Sequence, residues 1–230
     1  MGKLLVKDKD IVVPGEVMAE GLDFLPGGNT RREDDKIIAN GVGIVNISNK
    51  IIKLIPTNGG YIPKRDDVVV GTIVEINNKG WMVDIKLPFR AMITLKDGSS
   101  DYIQRGADLT KYYDLGDLVM AKICNVASNG LLDLTMREPK LNKLENGRLI
   151  EVSPMKVPRI IGKKASMITI VKEKTNCRIS VGQNGLIWVS GDPKGINVAI
   201  KAIEKIDKES HKSGLTEEIE KFLDEQLKLM

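Results

Sequence analysis

The sequence predicts a mainly β chain with an α+β C-terminal part: a small N-terminal β module, a five-stranded barrel, and a unit ordered strand, helix, helix, strand, strand, helix. Three observations predict it. Short apolar runs punctuated by Pro-Gly and Gly-Gly turns fill residues 1–64. Residues 65–137 hold five alternating runs, with one long irregular connection after the third. From residue 147 the apolar period changes to that of helices around a basic glycine turn, followed by a hairpin and a further helix.

At 230 residues the chain exceeds one compact domain of ~100 to 150 residues, so two or three small units are expected. Apolar residues at 42% suffice for packed cores, whereas aromatics at 4% leave little for a base-stacking surface. The net charge of +4 permits a polyanionic partner without demanding one. Its distribution says more: Arg148 to Lys172 carries six basic residues against Glu151 alone, and Gly214 to Met230 carries five acidic against two basic. Cys124 and Cys177 lie far apart in apolar strand contexts, which suits buried thiols in a reducing compartment. No run approaches the ~18 apolar residues of a membrane span, and the first ten residues lack a secretory core. A soluble, cytoplasmic protein without a membrane partner is expected.

In residues 1–64, Ile11-Val12-Val13 is a short strand broken by Pro14-Gly15, and a looser turn follows at Leu25 to Asn29. The charged stretch from Thr30 to Lys36 reads as an exposed, self-neutralised loop. Lys36 to Ile47 and Lys50 to Ile55 read as strands joined through Ser48-Asn49. Nothing here resembles a catalytic cluster, and docking against another protein is the natural role.

In residues 65–137 the strands are expected at Val68–Ile76, Trp81–Ile85, Arg90–Thr94, Leu118–Val126 and Leu131–Thr135, with tight turns at Asn77 to Gly80 and Ser128 to Gly130. Five strands with a long connection after the third is the arrangement of an OB-fold, which offers its second and third strands to nucleic acid. Trp81 alternates with Val83 and Ile85 and belongs to the core. Lys79, Arg90, Lys122 and Arg137, with Lys96 and Arg105 in the long connection, are the candidate RNA-binding cations. Against them, nine basic residues face ten acidic ones between Arg65 and Arg137, so each alone also fits a solubility role.

Residues 138–146 are polar, contain Pro139 and read as a linker into a unit at 147–213. There Ile160-Ile161 leads into Gly162-Lys163-Lys164-Ala165 between two helices. A short basic glycine turn offers backbone N–H groups and ammonium heads to a phosphodiester chain. Arg159, Lys163 and Lys164 are candidates for that contact, and solvated helix-end residues are the alternative. Gly182-Gln183-Asn184-Gly185 joins two strands as a hairpin turn, and Asp192-Pro193 caps the last helix. In residues 214–230, Leu215, Ile219, Phe222, Leu223 and Leu227 form the apolar face of an acidic helix that folds back on its own domain.

An enzyme finds no support in these residues. No P-loop, Rossmann glycine pattern, HExxH or cysteine-histidine metal spacing occurs, and the sole histidine, His211, lies in a polar helix end. No catalytic residue, metal ligand or cofactor is assigned.

The runs from Gly71 to Ile85 and from Gly116 to Arg137 are similar to the S-one type of OB domain. The strand aromatics that stack bases in that family fall here on Met82 and Thr94. Residues 147–206 resemble the KH domain, with Ala165 in place of the second glycine of its GxxG loop. Gly182, Asn184 and Gly185 match a GxNG signature of exosome cap subunits, where the resemblance implies a structural turn packed toward the barrel. The order β module, S-one barrel, single KH resembles the S-one/KH cap subunits of the archaeal exosome. That resemblance implies three caps on a hexameric ring of phosphorolytic-family subunits, the N-terminal modules docked on the ring and the barrels around its pore. It further implies capture of single-stranded RNA 3′ ends, with a preference for A-rich tails, and cleavage by the ring alone. The alternative reading is a stand-alone RNA-binding protein associated with ribosomes or polymerase.

Overall fold

The computed structural model describes residues 2–228 except 58, 105, 129, 211 and 213. The chain forms two compact units, Met1–Gly60 and Tyr61–Met230.

The first unit holds β1 (Lys3–Leu4), β2 (Ile11–Val12), β3 (Val17–Glu20), β4 (Leu25–Pro26), β5 (Thr30–Glu33), β6 (Lys36–Ala39), β7 (Gly43–Ser48) and β8 (Ile51–Pro56). They make two four-stranded sheets, ordered β1-β3-β6-β5 and β2-β7-β8-β4. Both sheets feed one core that includes Val12, Met18, Ile37, Val45, Ile52 and Leu54. Two expectations are corrected. The charged stretch from Thr30 is the hairpin β5–β6, turning at Asp34-Asp35 and paired Arg31 to Ile38 and Arg32 to Ile37. Its outer strand lacks the apolar alternation that marks a strand, because its inward positions are Thr30 and Arg32, which bond to backbone carbonyls of Gly27, Ile52, Gly21 and Phe24 in place of apolar packing. The run from Lys36 to Ile47 is two strands, because the chain leaves one sheet after Ala39 and enters the other at Gly43.

The second unit begins with the barrel strands β9 (Val68–Asn77), β10 (Gly80–Asp84), β11 (Arg90–Thr94), β12 (Leu118–Val126) and β13 (Leu131–Thr135). Neighbours run β13-β11-β10-β9-β12, and β12 pairs again with β13, so the sheet closes on itself. Strands β11 and β13 are parallel, in the register Arg90 to Leu131 and Ile93 to Leu134. Closure of a five-stranded sheet through one parallel pair is the OB-fold topology. Its interior is filled by Val69, Ile73, Trp81, Val83, Ile93, Val119, Ile123 and Leu132, all essentially without solvent contact. The long connection after β11 is anchored by Ile103 and Leu109, which reach this core, and by a 3-10 turn at Leu109–Lys111 capped by Asp108.

Residues 138–146, expected as a polar linker, carry β14 (Lys143–Leu144), which pairs with β12. Leu144 is buried with Val70, Leu186 and Trp188, so this short segment is part of the packing between barrel and C-terminal part.

That part runs β15 (Arg148–Glu151), α1 (Val157–Ile161), α2 (Ser166–Thr175), β16 (Arg178–Val181), β17 (Leu186–Ser190) and α3 (Pro193–Glu209), with the sheet ordered β15-β17-β16. Alternation along the sheet explains its two partners. Ile179, Ile187 and Val189 point into the helical core, while Leu186 and Trp188 face the barrel. Helix α3 starts at Asp192, whose carboxylate accepts from Lys194 N–H, with Pro193 in its first turn. Helix α4 (Leu215–Lys228) buries Leu215, Ile219 and Leu223 in the same core. It is tied by Lys205 to Glu218 at 2.9 Å and Lys174 to Asp224 at 2.6 Å.

Candidate nucleic-acid interface

The barrel carries an open groove of about 830 Å³. Its walls come from three places that the closure of the sheet brings together: the β10 entry turn with Asn78 and Lys79, the end of β11 with Thr94 to Lys96, and residues 99–103 of the long connection. Arg137, just after β13, completes it. Lys79, Lys96 and Arg137 are exposed, and among the described residues none of the three enters an ion pair. Among the described lining residues Asp101 is the single carboxylate, so this part of the groove is net positive.

Local bonding fixes this surface. Lys79 N–H donates to Asn77 Oδ1 at 3.0 Å, and Lys79 C=O accepts from Leu95 N–H at 3.1 Å, which sets the turn against the end of β11. Thr94 Oγ1 donates to Asp97 at 2.7 Å, and Met136 N–H donates to Asp97 C=O, drawing the segment before Arg137 toward the same rim. Beneath it Trp81 is fully buried, its Nε1 donating to Tyr113 C=O at 3.0 Å and its ring meeting the Tyr113 ring edge-on at 5.1 Å. Tyr113 in turn donates from its hydroxyl to Gly98 C=O at 2.7 Å. The connection is therefore held to the barrel at Gly98, Ile103, Leu109 and Tyr113, with residues 99–102 displayed between the first two anchors.

The remaining sequence candidates are placed elsewhere. Lys122 is not a free cation: its ammonium sits between Glu138 at 2.8 Å and Asp66 at 3.0 Å. Glu138 first and Asp66 second hold it above the usual lysine range. Sequence spacing could not reveal this, since both carboxylates belong to other segments. Arg90 is exposed at the start of β11, away from the groove lining. Arg105 and His211 lie outside the described residues. Arg159 donates to Lys212 C=O at 2.7 Å and so ties α1 to the segment before α4.

Lys163 and Lys164 project from the turn between α1 and α2, exposed and without ion-pair partners among the described residues. Gly162 has φ +76°, and Lys164 and Ala165 both adopt left-handed conformations, at φ 52° and 62°. Ala165 thus holds the backbone shape that glycine favours, at a steric cost of about 1 kcal/mol.

The turn at Gly182 to Gly185 faces the barrel. Gln183 N–H donates to Val68 C=O at 2.8 Å. Asn184, only 5% exposed, accepts from Val70 N–H at 3.2 Å and donates to Val70 C=O at 2.8 Å and Ile85 C=O at 3.0 Å. Gly182 is required at this contact, because a Cβ there would run into the Asn184 carboxamide and lie 2.7 Å from Val70 N.

Tyr102 was missed by sequence reasoning. It is 86% exposed on the groove wall, and the signal that could have found it is its neighbour Ile103, the apolar anchor of an otherwise polar run. Among the described residues no cluster of three or more His, Cys, Asp or Glu could hold a metal ion, and no helix is long and apolar enough to cross a membrane.

Comparison with known proteins agrees with this architecture. Residues 60–125 match the family described as "RRP4, S1 domain", and residues 148–205 match the KH domain family. The chain is 43% identical over 221 residues to "Exosome complex component Rrp4" of Methanothermus fervidus, covering 96% of this chain and 97% of that one. It is 39% identical to the protein of the same name from Pyrococcus abyssi, covering 97% and 85% respectively. A crystal structure of an exosome complex RNA-binding protein superposes with a TM-score of 0.67 at 34% identity, covering 74% of this chain and 99% of the other.

Proposed function

The chain belongs to the family of Rrp4 exosome complex components, and from that premise we propose that it is a non-catalytic RNA-binding subunit that captures single-stranded 3′ ends and passes them to the degrading subunits of the complex. The observation that carries the reading is the barrel groove, where Lys79, Lys96 and Arg137 converge without internal carboxylate partners among the described residues. Cations that are not neutralised within the fold are free to replace counterions along a phosphodiester chain.

In this reading a strand lies along the groove with its phosphates on these three side chains. Lys163 and Lys164 of the KH turn make a second, weaker electrostatic contact. Three copies of the chain sit on a hexameric ring of phosphorolytic-family subunits, each docked through its N-terminal unit. The exposed side chains of Ile11, Ile51 and Ile55 on the outer face of its second sheet supply apolar docking surface. Modest affinity per groove becomes useful because three grooves around one pore raise the effective concentration of a captured strand.

The test is reconstitution. A ring assembled with the chain is expected to degrade an RNA with a single-stranded 3′ tail faster than the ring alone, while the chain by itself leaves the RNA intact. Shortening of RNA by the isolated chain, abolished by one substitution within it, would overturn the proposal.

A further inference from the structure

The groove contains more than charge, and the one aromatic side chain among its described lining residues is placed unlike the others in the barrel. Trp81 is fully buried, and Tyr113 is half-buried with its hydroxyl engaged by Gly98. Phe89 and Tyr112 are 39% exposed and do not line the groove. Tyr102 is 86% exposed on the groove wall, and among the described residues its hydroxyl has no hydrogen-bond partner. The backbone on one side of it is pinned by Ile103, which is 4% exposed in the barrel core. The ring is therefore presented by an anchored segment and contributes nothing to the packing of the fold.

The barrel strands offer no substitute. Met82 is a thioether, and Thr94 is a small side chain whose hydroxyl is already given to Asp97. Neither provides a planar face. A polynucleotide held only by Lys79, Lys96 and Arg137 would be held through its phosphates and would leave its bases in water.

We propose that Tyr102 is the base-stacking platform of this groove, taking one unpaired base of a single-stranded nucleic acid while the flanking phosphates rest on Lys79, Lys96 and Arg137. The inference rests on the groove being the RNA site. It adds that the aromatic surface comes from the long connection and not from the second and third strands of the barrel. Every base has a π face, so this contact grips a strand without selecting its sequence. It also distinguishes a nucleic acid from any other polyanion, which three cations cannot do.

The test compares two ligands on the full chain by equilibrium titration: a short single-stranded RNA, and the same strand with stable abasic units through its central nucleotides. Tyr102→Ala is expected to weaken binding of the intact strand by about 5- to 150-fold and to leave the abasic strand unchanged, and Tyr102→Phe restores the intact strand. Because the ring is almost wholly exposed, these variants are expected to leave the fold undisturbed, and a thermal transition measured on each checks this. The triple variant Lys79→Ala, Lys96→Ala, Arg137→Ala is expected to weaken both ligands alike. If Tyr102→Ala binds the intact strand as the parent does, or loses both ligands equally, while the triple variant still fails on both, stacking is overturned and the groove stands. If the triple variant also binds normally, the groove itself is not the site and the proposal falls with it.

Discussion

The carboxamide of Asn184 forms a two-way hydrogen bond with the backbone of Val70, accepting from its N–H at 3.2 Å and donating to its C=O at 2.8 Å. One side chain of the KH hairpin thus completes the backbone bonding of the first barrel strand, 114 residues earlier in the chain. A third bond, to Ile85 C=O, reaches the end of the second strand. Barrel and KH sheet are joined by satisfied polar groups at the centre of an apolar contact made by Leu144, Leu186 and Trp188.

Asn184→Ala leaves those buried backbone groups without partners, each at about 1–3 kcal/mol. The expected result is a loss of about 3 kcal/mol or more, read by urea denaturation. Asn184→Asp is expected to be no better, because it keeps the acceptor, removes both donors and buries a charge. A transition unchanged by Asn184→Ala would show that the apolar contact alone holds the two parts together.

Trp81→Ala removes the largest side chain of the barrel core and the donor to Tyr113. The expected destabilisation is about 3–5 kcal/mol. Trp81→Phe is the more informative variant. Tyr113 and Gly98 both lean on the indole, so the milder loss of stability should come with weaker RNA binding as residues 99–102 lose their support. Circular dichroism and a binding titration on the same sample check both.

Lys122 offers the opposite test. It is spent on Glu138 and Asp66, so Lys122→Met is expected to lower stability while leaving RNA affinity within about twofold, a change worth ~0.4 kcal/mol. A large drop in affinity without loss of stability would return Lys122 to the RNA-binding surface.

The docking of α4 should depend on pH at both ends. Lys205 holds the Glu218 carboxyl below its usual value, and Glu218 holds the Lys205 ammonium above its own. The Glu218 contribution is present above the unfolded carboxylate value near 4.5 and is lost as pH falls below it through the folded value. The Lys205 contribution is present below its unfolded value of 10.5 and is lost as pH rises past the folded one. Hydrogen exchange in α4 should therefore quicken relative to α3 as pH falls below the unfolded carboxylate value of 4.5. Lys205→Met should remove much of that pH response.

Much of the architecture was legible because each barrel strand carries its own alternation. The expected strand Arg90–Thr94 is a strand over those same residues, and Leu118–Val126 and Leu131–Thr135 likewise. The helices of the KH part were readable from period and caps, down to Asp192 at the start of α3. What failed was local signal too weak or too short: the charged hairpin Thr30 to Ala39, and β14, a two-residue strand whose only apolar member is Leu144. The groove was legible in part. Lys79, Lys96 and Arg137 were readable as separate cations, in a turn, in the long connection and just after the last barrel strand. That they line one surface, and that Lys122 does not join them, follows from barrel closure, which relates residues by pairing and not by distance along the chain. Tyr102 was readable only through its neighbour Ile103, the apolar residue of a polar run, because the exposure of the ring depends on where Ile103 is anchored.

The most direct measurement is the salt dependence of single-stranded RNA affinity for the full chain and for the Lys79→Ala, Lys96→Ala, Arg137→Ala variant. Each phosphate contact on a single strand adds about 0.7 to the slope of log affinity against log salt. The account predicts that the variant binds more weakly and that its slope is shallower by about 2. An unchanged slope would mean that RNA is held elsewhere on the chain and would contradict the account.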